Sequence, residues 1–264
     1  MELNEQPLIS VALTCYNSVP FIQACIRSIY SQTYNNYEII IIDDCSNDYT
    51  LEILKKVLIS YKLENKTKLF SHSINCGYGK SLKHAIEFGS GDLIVIVDSD
   101  DALASNDAFE LLVAEHRKYP EVALIYSDYW TCNERLKPIK LIESTDLKKG
   151  QTYLGDWKNG KYIGNEVVIS HVKCFKRSFY NMTEGLDGTL LKAVDKDLIL
   201  KLEEVGVMKR FPVGLYYHRG HPDSISKSFK HRSKEYVKKV YDAKDTMYEK
   251  ARLRREVKKN ENIL

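Results

Sequence analysis

The chain has 264 residues, 44% hydrophobic and 28% charged, with a net charge of +3. These are the values of a soluble globular protein with one large domain, or one domain and an appendage, and a sizeable core. The longest purely aliphatic runs, Ile39–Ile42 and Leu93–Val97, are too short to span a bilayer, and polar Met1–Pro7 lacks the apolar stretch of a secretory leader. The cysteines at 15, 25, 45, 76, 132 and 174 form no Cys-x-x-Cys pair. Free thiols in a reducing compartment, and hence a cytoplasmic protein, are expected.

Leu8–Thr14 has the composition of a strand, and Phe21, Ile22, Cys25, Ile26 and Ile29 have the spacing of an amphipathic helix over 20–32. Tyr37–Ile42 is a second strand, closed by Asp43 and Asp44, with a helix following from Asn47–Asp48 to Tyr61. A short strand at Lys68–Ser71, a helix at Ser81–Phe88 and a fully apolar strand at Leu93–Val97 come next. A helix at Ala108–Tyr119 and a strand at Val122–Tyr126 complete the alternation, which predicts a doubly wound, mostly parallel sheet. Residues 130–165 carry Gly150, Gly155, Gly160 and Gly164, the spacing of long loops over a site. A helix at Val194–Glu204 and a strand at Phe211–Tyr217 follow. Ser233–Lys259 then forms one basic helix with Tyr236, Val240, Ala243, Met247 and Ala251 along one side. From Lys227 to Lys259 there are 13 Lys/Arg against 5 acids, an excess larger than the net charge of the whole chain.

Chemistry concentrates at strand ends. Asp98-Ser99-Asp100-Asp101 places three carboxylates directly after five aliphatic residues. Carboxylates crowded in this way repel unless a cation sits among them. Asp43–Asp44 belongs on the same edge of a parallel sheet, as does Thr14-Cys15-Tyr16-Asn17. This edge offers an aromatic face for a base, a carboxylate for an imino N–H and a cation site for a diphosphate. No Gly-x-Gly-x-x-Gly follows the first strand and no Gly-x4-Gly-Lys-Ser/Thr occurs, so dinucleotide-fold and P-loop chemistry find no support.

Ser10–Asn17, Ser28–Tyr34, Tyr37–Asp48, Asn75-Cys76-Gly77, Gly91–Ile94, Asp98–Asp101, Phe175-Lys176-Arg177, Gly185-Leu186-Asp187 and Asp195–Leu198 occur in an order that resembles family-2 inverting glycosyltransferases of the GT-A fold. The resemblance spans roughly residues 8–228. It implies an α/β fold, a Rossmann-like, mostly parallel central sheet flanked by helices, with the basic helix as a C-terminal extension. It divides the chain into a nucleotide-binding half (8–129), an acceptor-binding and catalytic half (130–228) and a basic tail (229–264).

The resemblance also implies residue roles. Thr14, Tyr16 and Asn17 would contact the nucleoside, Tyr16 packing on uracil, and Asp44 would hydrogen-bond the base. Asp98 and Ser99 would lie by the ribose, and Asp98 and Asp100, with His221, would hold Mn2+ or Mg2+. Asp195 matches the catalytic base, and Asp197 a supporting position. Tyr217–Ser226, with Arg219, would close over the diphosphate. Val194 stands where the family often has Glu, and the common Ala-Arg-Asn is replaced near Ser81-Leu82-Lys83, so that Lys80 or Lys83 substitutes for the missing Arg. The implied activity is transfer from a nucleotide-sugar donor, a UDP-sugar, to a saccharide or lipid-linked saccharide acceptor in bacterial capsule or lipopolysaccharide assembly.

Each residue also has a plain structural reading: Asp44 as a turn cap, Asp195 as a helix N-terminal acid, Tyr16 and Trp157 as packing, the tail as a solvated helix face. Competing functions are a sugar nucleotidyltransferase, a receiver-like phosphorylation switch and a non-catalytic nucleotide-binding relative. The turn Cys15-Tyr16-Asn17-Ser18 is not the Gly-rich basic loop the first requires, and the second leaves residues 130–228 unexplained. No nucleic-acid partner is expected. The basic tail is a candidate for peripheral attachment to the inner membrane face or for contacts in a homo-oligomer.

Overall fold

In the computed structural model, which describes residues 3–147, 152–154, 156–158, 161–163, 168–222, 224 and 233–260, the aliphatic runs of the first half become neighbouring strands. β1 (Ile9–Cys15), α1 (Ile22–Tyr30), β2 (Tyr37–Asp43), α2 (Thr50–Ser60), β3 (Thr67–Ser71), α3 (Tyr78–Phe88) and β4 (Leu93–Asp98) alternate along the chain. The two-residue β5 (Ala102–Leu103) and α4 (Ala108–Lys118) follow. The second half supplies β6 (Val122–Cys132), β7 (Pro138–Ile142), a small hairpin of β8 (Asp156–Lys158) and β9 (Lys161–Ile163), and β10 (Lys173–Lys176). It continues with the short α5 (Arg177–Tyr180), then α6 (Val194–Glu203), β11 (Val207–Arg219) and α7 (Lys234–Asn260).

The main sheet has the order β3-β2-β1-β4-β10-β6-β11-β5, with β7 paired to β6. The first four strands are parallel, as are β6 and β11. β10 runs antiparallel between β4 and β6. A strand buried on both faces needs apolar residues in both alternating sets, which explains the unbroken aliphatic runs of β2 and β4. Ile9, Val11 and Leu13 of β1 pack with Ile22, Ile26 and Ile29 of α1, Leu54 and Leu58 of α2, and Phe109 and Leu112 of α4. On the opposite face Ala12, Ile40, Ile42, Ile94 and Ile96 meet Leu82 and Ile86 of α3 and Leu198 and Leu202 of α6. The result is three layers, with the strand C-termini of β1, β2 and β4 on one common edge.

Four features differ from the expectation. Helix α3 starts at Tyr78 rather than Ser81, because Gly77 adopts a φ of +86° and turns the chain directly into it. β6 continues to Cys132 and turns into β7, so part of the glycine-rich region is a hairpin rather than loop. β10 was not anticipated as a strand; its four residues are all buried, and they close the gap between β4 and β6. Finally, α7 is docked. Met247, Tyr248 and Ala251 are buried against the α3/α6 face. Arg254 donates to both carboxylate oxygens of Glu204 at 2.7 and 2.8 Å, and Arg255 lies 2.6 Å from Glu203. Several of the tail's positive charges therefore face α6 rather than solvent.

Candidate active site

The parallel register sets Thr14 beside Ile42 and Asp98, so the ends of β1, β2 and β4 lie side by side. Thr14 is buried there, whereas Tyr16, two residues beyond, is 48% exposed with its ring accessible. Asn17 ties the β1 and β2 ends together: its N–H donates to Ser46 Oγ and its Oδ1 accepts from the Asn47 N–H, both at 3.0 Å.

At the end of β2, Asp44 is nearly saturated with donors. Its Oδ1 accepts from His72 Nδ1 at 2.7 Å and from the Cys76 N–H at 2.8 Å, and its Oδ2 from the Gly77 N–H at 2.7 Å. The positive φ of Gly77 lets two successive amides aim at one carboxylate, an anion-binding nest. Burial works to raise the Asp44 carboxyl, but the hydrogen bonds of His72, Cys76 and Gly77 outweigh it and hold it below the usual carboxylate value.

The end of β4 is the reverse. Asp98, Asp100 and Asp101 crowd together with few donors. Burial, and next the charge of Asp100, push the Asp98 carboxyl up to about 7. The nearby Lys173 and a hydrogen bond from Tyr78 Oη at 3.0 Å act against that rise. Asp101, buried, is likewise pushed well above its ordinary value by burial and then by its two neighbours. Asp100 Oδ2 lies 3.0 Å from His221 Nε2, and Ser99 Oγ lies 2.8 Å from Ser18 Oγ. Arg219 is folded into this end: its N–H donates to Asp101 Oδ1 at 2.7 Å, its Nε to the Asp100 carbonyl at 2.5 Å, and its guanidinium lies over the Phe21 ring. Arg219 Nη2 and His221 Nδ1 are buried without a hydrogen-bond partner among the described residues.

The facing wall comes from the second half. Because β10 is antiparallel, its first residue Lys173 pairs with Ile96 near the C-terminal end of β4. Lys173 is 1% exposed, and its Nζ lies 3.6 Å from Asp195 Oδ2 in the first turn of α6. The Asp195 side chain is 40% exposed, open to a ligand on its other side. His171 lies 3.6 Å from Asp98 Oδ2 and stacks on Tyr216; burial, and next Lys173, hold it well below its ordinary value and hence neutral. Asp197 is turned inward, bound to Lys201 Nζ at 2.8 Å and to the Asp187 N–H at 2.9 Å.

Thr14, Asp98, Ser99, Asp100, Arg219 and His221 thus converge, with Asp195 joined to them through Lys173, while Asp44 and Asn17 form the neighbouring β2 corner. Lys80 is apart: it is exposed on the first turn of α3, against the Gly188 backbone. Among the described residues no hydrogen bond or ion pair links it to the acidic end. The side chain of Trp157, and residues 223 and 225–226 of the expected closing segment, lie outside the described residues. Sequence reasoning passed over His72, Tyr78, His171, Lys173 and Tyr216. None of the five carries a local signal: Lys173 opens a four-residue strand that holds a second lysine, Lys176, and reads as an exposed segment until its burial is seen.

The acidic end suits a hard divalent cation. The Asp98 and Asp101 carboxyls are pushed up by burial first and then by the charge of their neighbours, and oxygens with one imidazole are donors Mn2+ and Mg2+ accept. A second cluster, Asp44, His72 and Cys76, places three ligand atoms within 4.8 Å of one another, but a thiol is a poor donor to either ion.

A doubly wound sheet with an acidic cleft at its strand ends is the arrangement expected of a GT-A glycosyltransferase. Comparison with known proteins bears this out. The family model for glycosyl transferase family 2 matches residues 10–176, and the chain belongs to that family. It is 30% identical over 224 residues to the hyaluronan synthase of Pasteurella multocida, a match covering 85% of this chain but 22% of the synthase. Among solved structures, S. aureus TarS in complex with UDP superposes with a TM-score of 0.60 at 18% identity, over 84% of this chain and 62% of that one. The mannosyltransferase PcManGT of Pyrobaculum calidifontis, in complex with GDP-Man and Mn2+, gives 0.63 at 15% identity, over 93% and 71%. Among the described residues no helix is long and apolar enough to cross a membrane.

Proposed function

We propose that the chain is an inverting, metal-dependent glycosyltransferase that moves a sugar from a UDP-sugar to an acceptor hydroxyl. The observation that carries this reading is the opposition of two walls: under-compensated carboxylates at the end of β4, and the half-open Asp195 held by a buried lysine across from them. Tyr16 packs on the uracil and Thr14 lines the nucleoside. Asp44, held ionised by its donors, would accept the imino N–H of the base.

Asp98, Asp100 and His221 would hold Mn2+ or Mg2+, which when bound offsets the charge of a departing nucleoside diphosphate. Asp195 accepts the proton of the acceptor hydroxyl as that oxygen bonds to the anomeric carbon, on the face opposite the breaking bond to the diphosphate. A single displacement of this geometry inverts the anomeric centre. Lys173 Nζ, 3.6 Å from Asp195 Oδ2, fixes the position of the carboxylate.

The relationship to a polysaccharide synthase supports a role in bacterial surface glycan assembly, with a saccharide or lipid-linked saccharide as acceptor. Residues 8–129 bind the donor and 130–228 read the acceptor. The lysines left exposed on α7, among them Lys238, Lys239 and Lys250, would meet an anionic membrane surface at the cytoplasmic face. No observation favours the nucleotidyltransferase alternative.

Calorimetric titration with UDP, GDP, CDP and ADP, each with and without Mn2+, tests the proposal. Metal-dependent binding of UDP that is lost in Asp100→Ala is expected. Metal-independent binding, or unchanged affinity in the variant, would remove the metal assignment, and preference for another nucleotide would change the donor.

A further inference from the structure

Asp44, His72 and Cys76 come from three separate segments, the end of β2, the loop after β3 and the turn before α3, yet their ligand atoms converge within 4.8 Å. His72 is fixed on both sides. Its Nδ1 faces Asp44 Oδ1 at 2.7 Å and its Nε2 faces His84 Nδ1 at 2.9 Å, and the His84 ring stacks on Phe88. An imidazole whose second nitrogen is held by a hydrogen-bond partner is the usual arrangement of a metal-ligating histidine. One carboxylate and one thiolate balance two positive charges, and the imidazole adds a neutral donor. Thiolate with imidazole selects Zn2+ and similar borderline ions over Mn2+ and Mg2+. His72 and Cys76 are both partly exposed, which leaves an entry path and an open coordination position.

We propose that Asp44, His72 and Cys76 form a three-ligand site for a Zn2+-class cation, separate from the Asp98–Asp100–His221 end. On binding, the Cys76 thiol releases its proton to solvent and the thiolate ligates. His72 gives up the Nδ1 proton that Asp44 accepts in the metal-free site; by exchange through solvent the ring is reprotonated on Nε2, which donates to His84 Nδ1, and the freed Nδ1 ligates. A consequence, which rests on the base-binding role proposed for Asp44, is that Zn2+ withdraws this carboxylate from the nucleobase and competes with the nucleotide.

The test uses the full chain, reduced and stripped of metal, titrated with Zn2+ alone against a chromophoric chelator and with Co2+ as a spectroscopic substitute. One equivalent of Zn2+ should bind more tightly than Mn2+, and Co2+ should give a thiolate-to-metal charge-transfer absorption. Cys76→Ser should abolish that absorption, while Cys45→Ser and Asp100→Ala leave it intact. His84→Phe, which keeps an aromatic ring against Phe88 but loses the hydrogen bond, should weaken Zn2+ by roughly 10–100-fold. An absent absorption, one that survives Cys76→Ser, or Zn2+ affinity that follows Asp100 instead would overturn the site. These arms contain no nucleotide and are independent of the proposed activity. In a separate arm, Zn2+ should weaken UDP binding in the unmodified protein and not in Cys76→Ser. If Zn2+ binds at the three ligands and UDP affinity is unchanged, the competition is refuted while the metal site stands.

Discussion

Two strand ends, on either side of β1, carry carboxylates on the same sheet edge, and the fold treats them oppositely. Asp44, after β2, receives a histidine and two backbone amides and is held as an anion. Asp98, after β4, receives one hydroxyl, faces two further carboxylates and is pushed up to about 7. The identity of the residue is the same; the supply of donors differs. A carboxylate held by several donors is a rigid, ionised acceptor, whereas an under-supplied cluster is a site that gains by taking up a cation.

The largest expected effect lies on the wall opposite both ends. Asp195→Asn keeps the shape but removes the base, and transfer should fall by about 10²–10⁴-fold, with UDP affinity unchanged by calorimetry. Near-normal turnover would return Asp195 to the status of a helix N-terminal acid. The comparison itself is broken or upheld by paired neutralisation, measured as metal-free stability in denaturant. Asp44→Asn deprives backbone amides of their acceptor and should cost about 1–3 kcal/mol. Asp98→Asn relieves repulsion and should raise stability at neutral pH while lowering Mn2+ affinity. Equal signs for the two variants would mean that the ends do not differ as described.

A smaller effect is the pH dependence. The Asp98 carboxyl moves from an ordinary value of 3.8 to about 7 in the folded chain, so the native state binds the extra proton in that window. Its contribution is therefore full below the unfolded value and declines as pH rises toward 7. His116 acts in the opposite direction. Burial lowers it from 6.5 to about 3, so its contribution is present above 6.5 and is lost as pH falls. Stability curves of the metal-free protein should show Asp98→Asn removing the loss as pH rises from 3.8 toward about 7, and His116→Leu flattening the loss as pH falls below 6.5. The smallest effect is at the docked tail: Arg255→Ala removes ion pairs with Glu203 and Glu204 and should cost about 1 kcal/mol in the same assay.

Much of the β1–α4 half was legible from the chain because its signals are local. Unbroken aliphatic runs specify strands buried on both faces, and the i, i+3, i+4 spacing in α1 specifies which side packs. The Asp98–Asp101 cluster announced itself by crowding charge directly after such a run. The second half was less legible. β10 has four residues, two of them lysines, and no periodicity to mark it, yet it is buried throughout. The docking of α7 is hidden in the sequence because a helix with ten Lys/Arg looks solvated until Glu203 and Glu204 are placed opposite it.

What the sequence by itself determined is the alternation of strands and helices, the family, and the placing of Thr14, Asp44, Asp98 and Asp100 at strand ends. Each follows from burial periodicity or from an ordered motif. Only the tertiary structure decided which partners those carboxylates have. It brought Lys173 to Asp195 through an antiparallel strand, His72 and two amides to Asp44 through a left-handed glycine, and Arg219 and His221 to Asp100 and Asp101 from more than a hundred residues away. Donor count and local charge set whether a carboxylate recognises a base or a cation. Both are sums over neighbours in space, and no stretch of chain contains them.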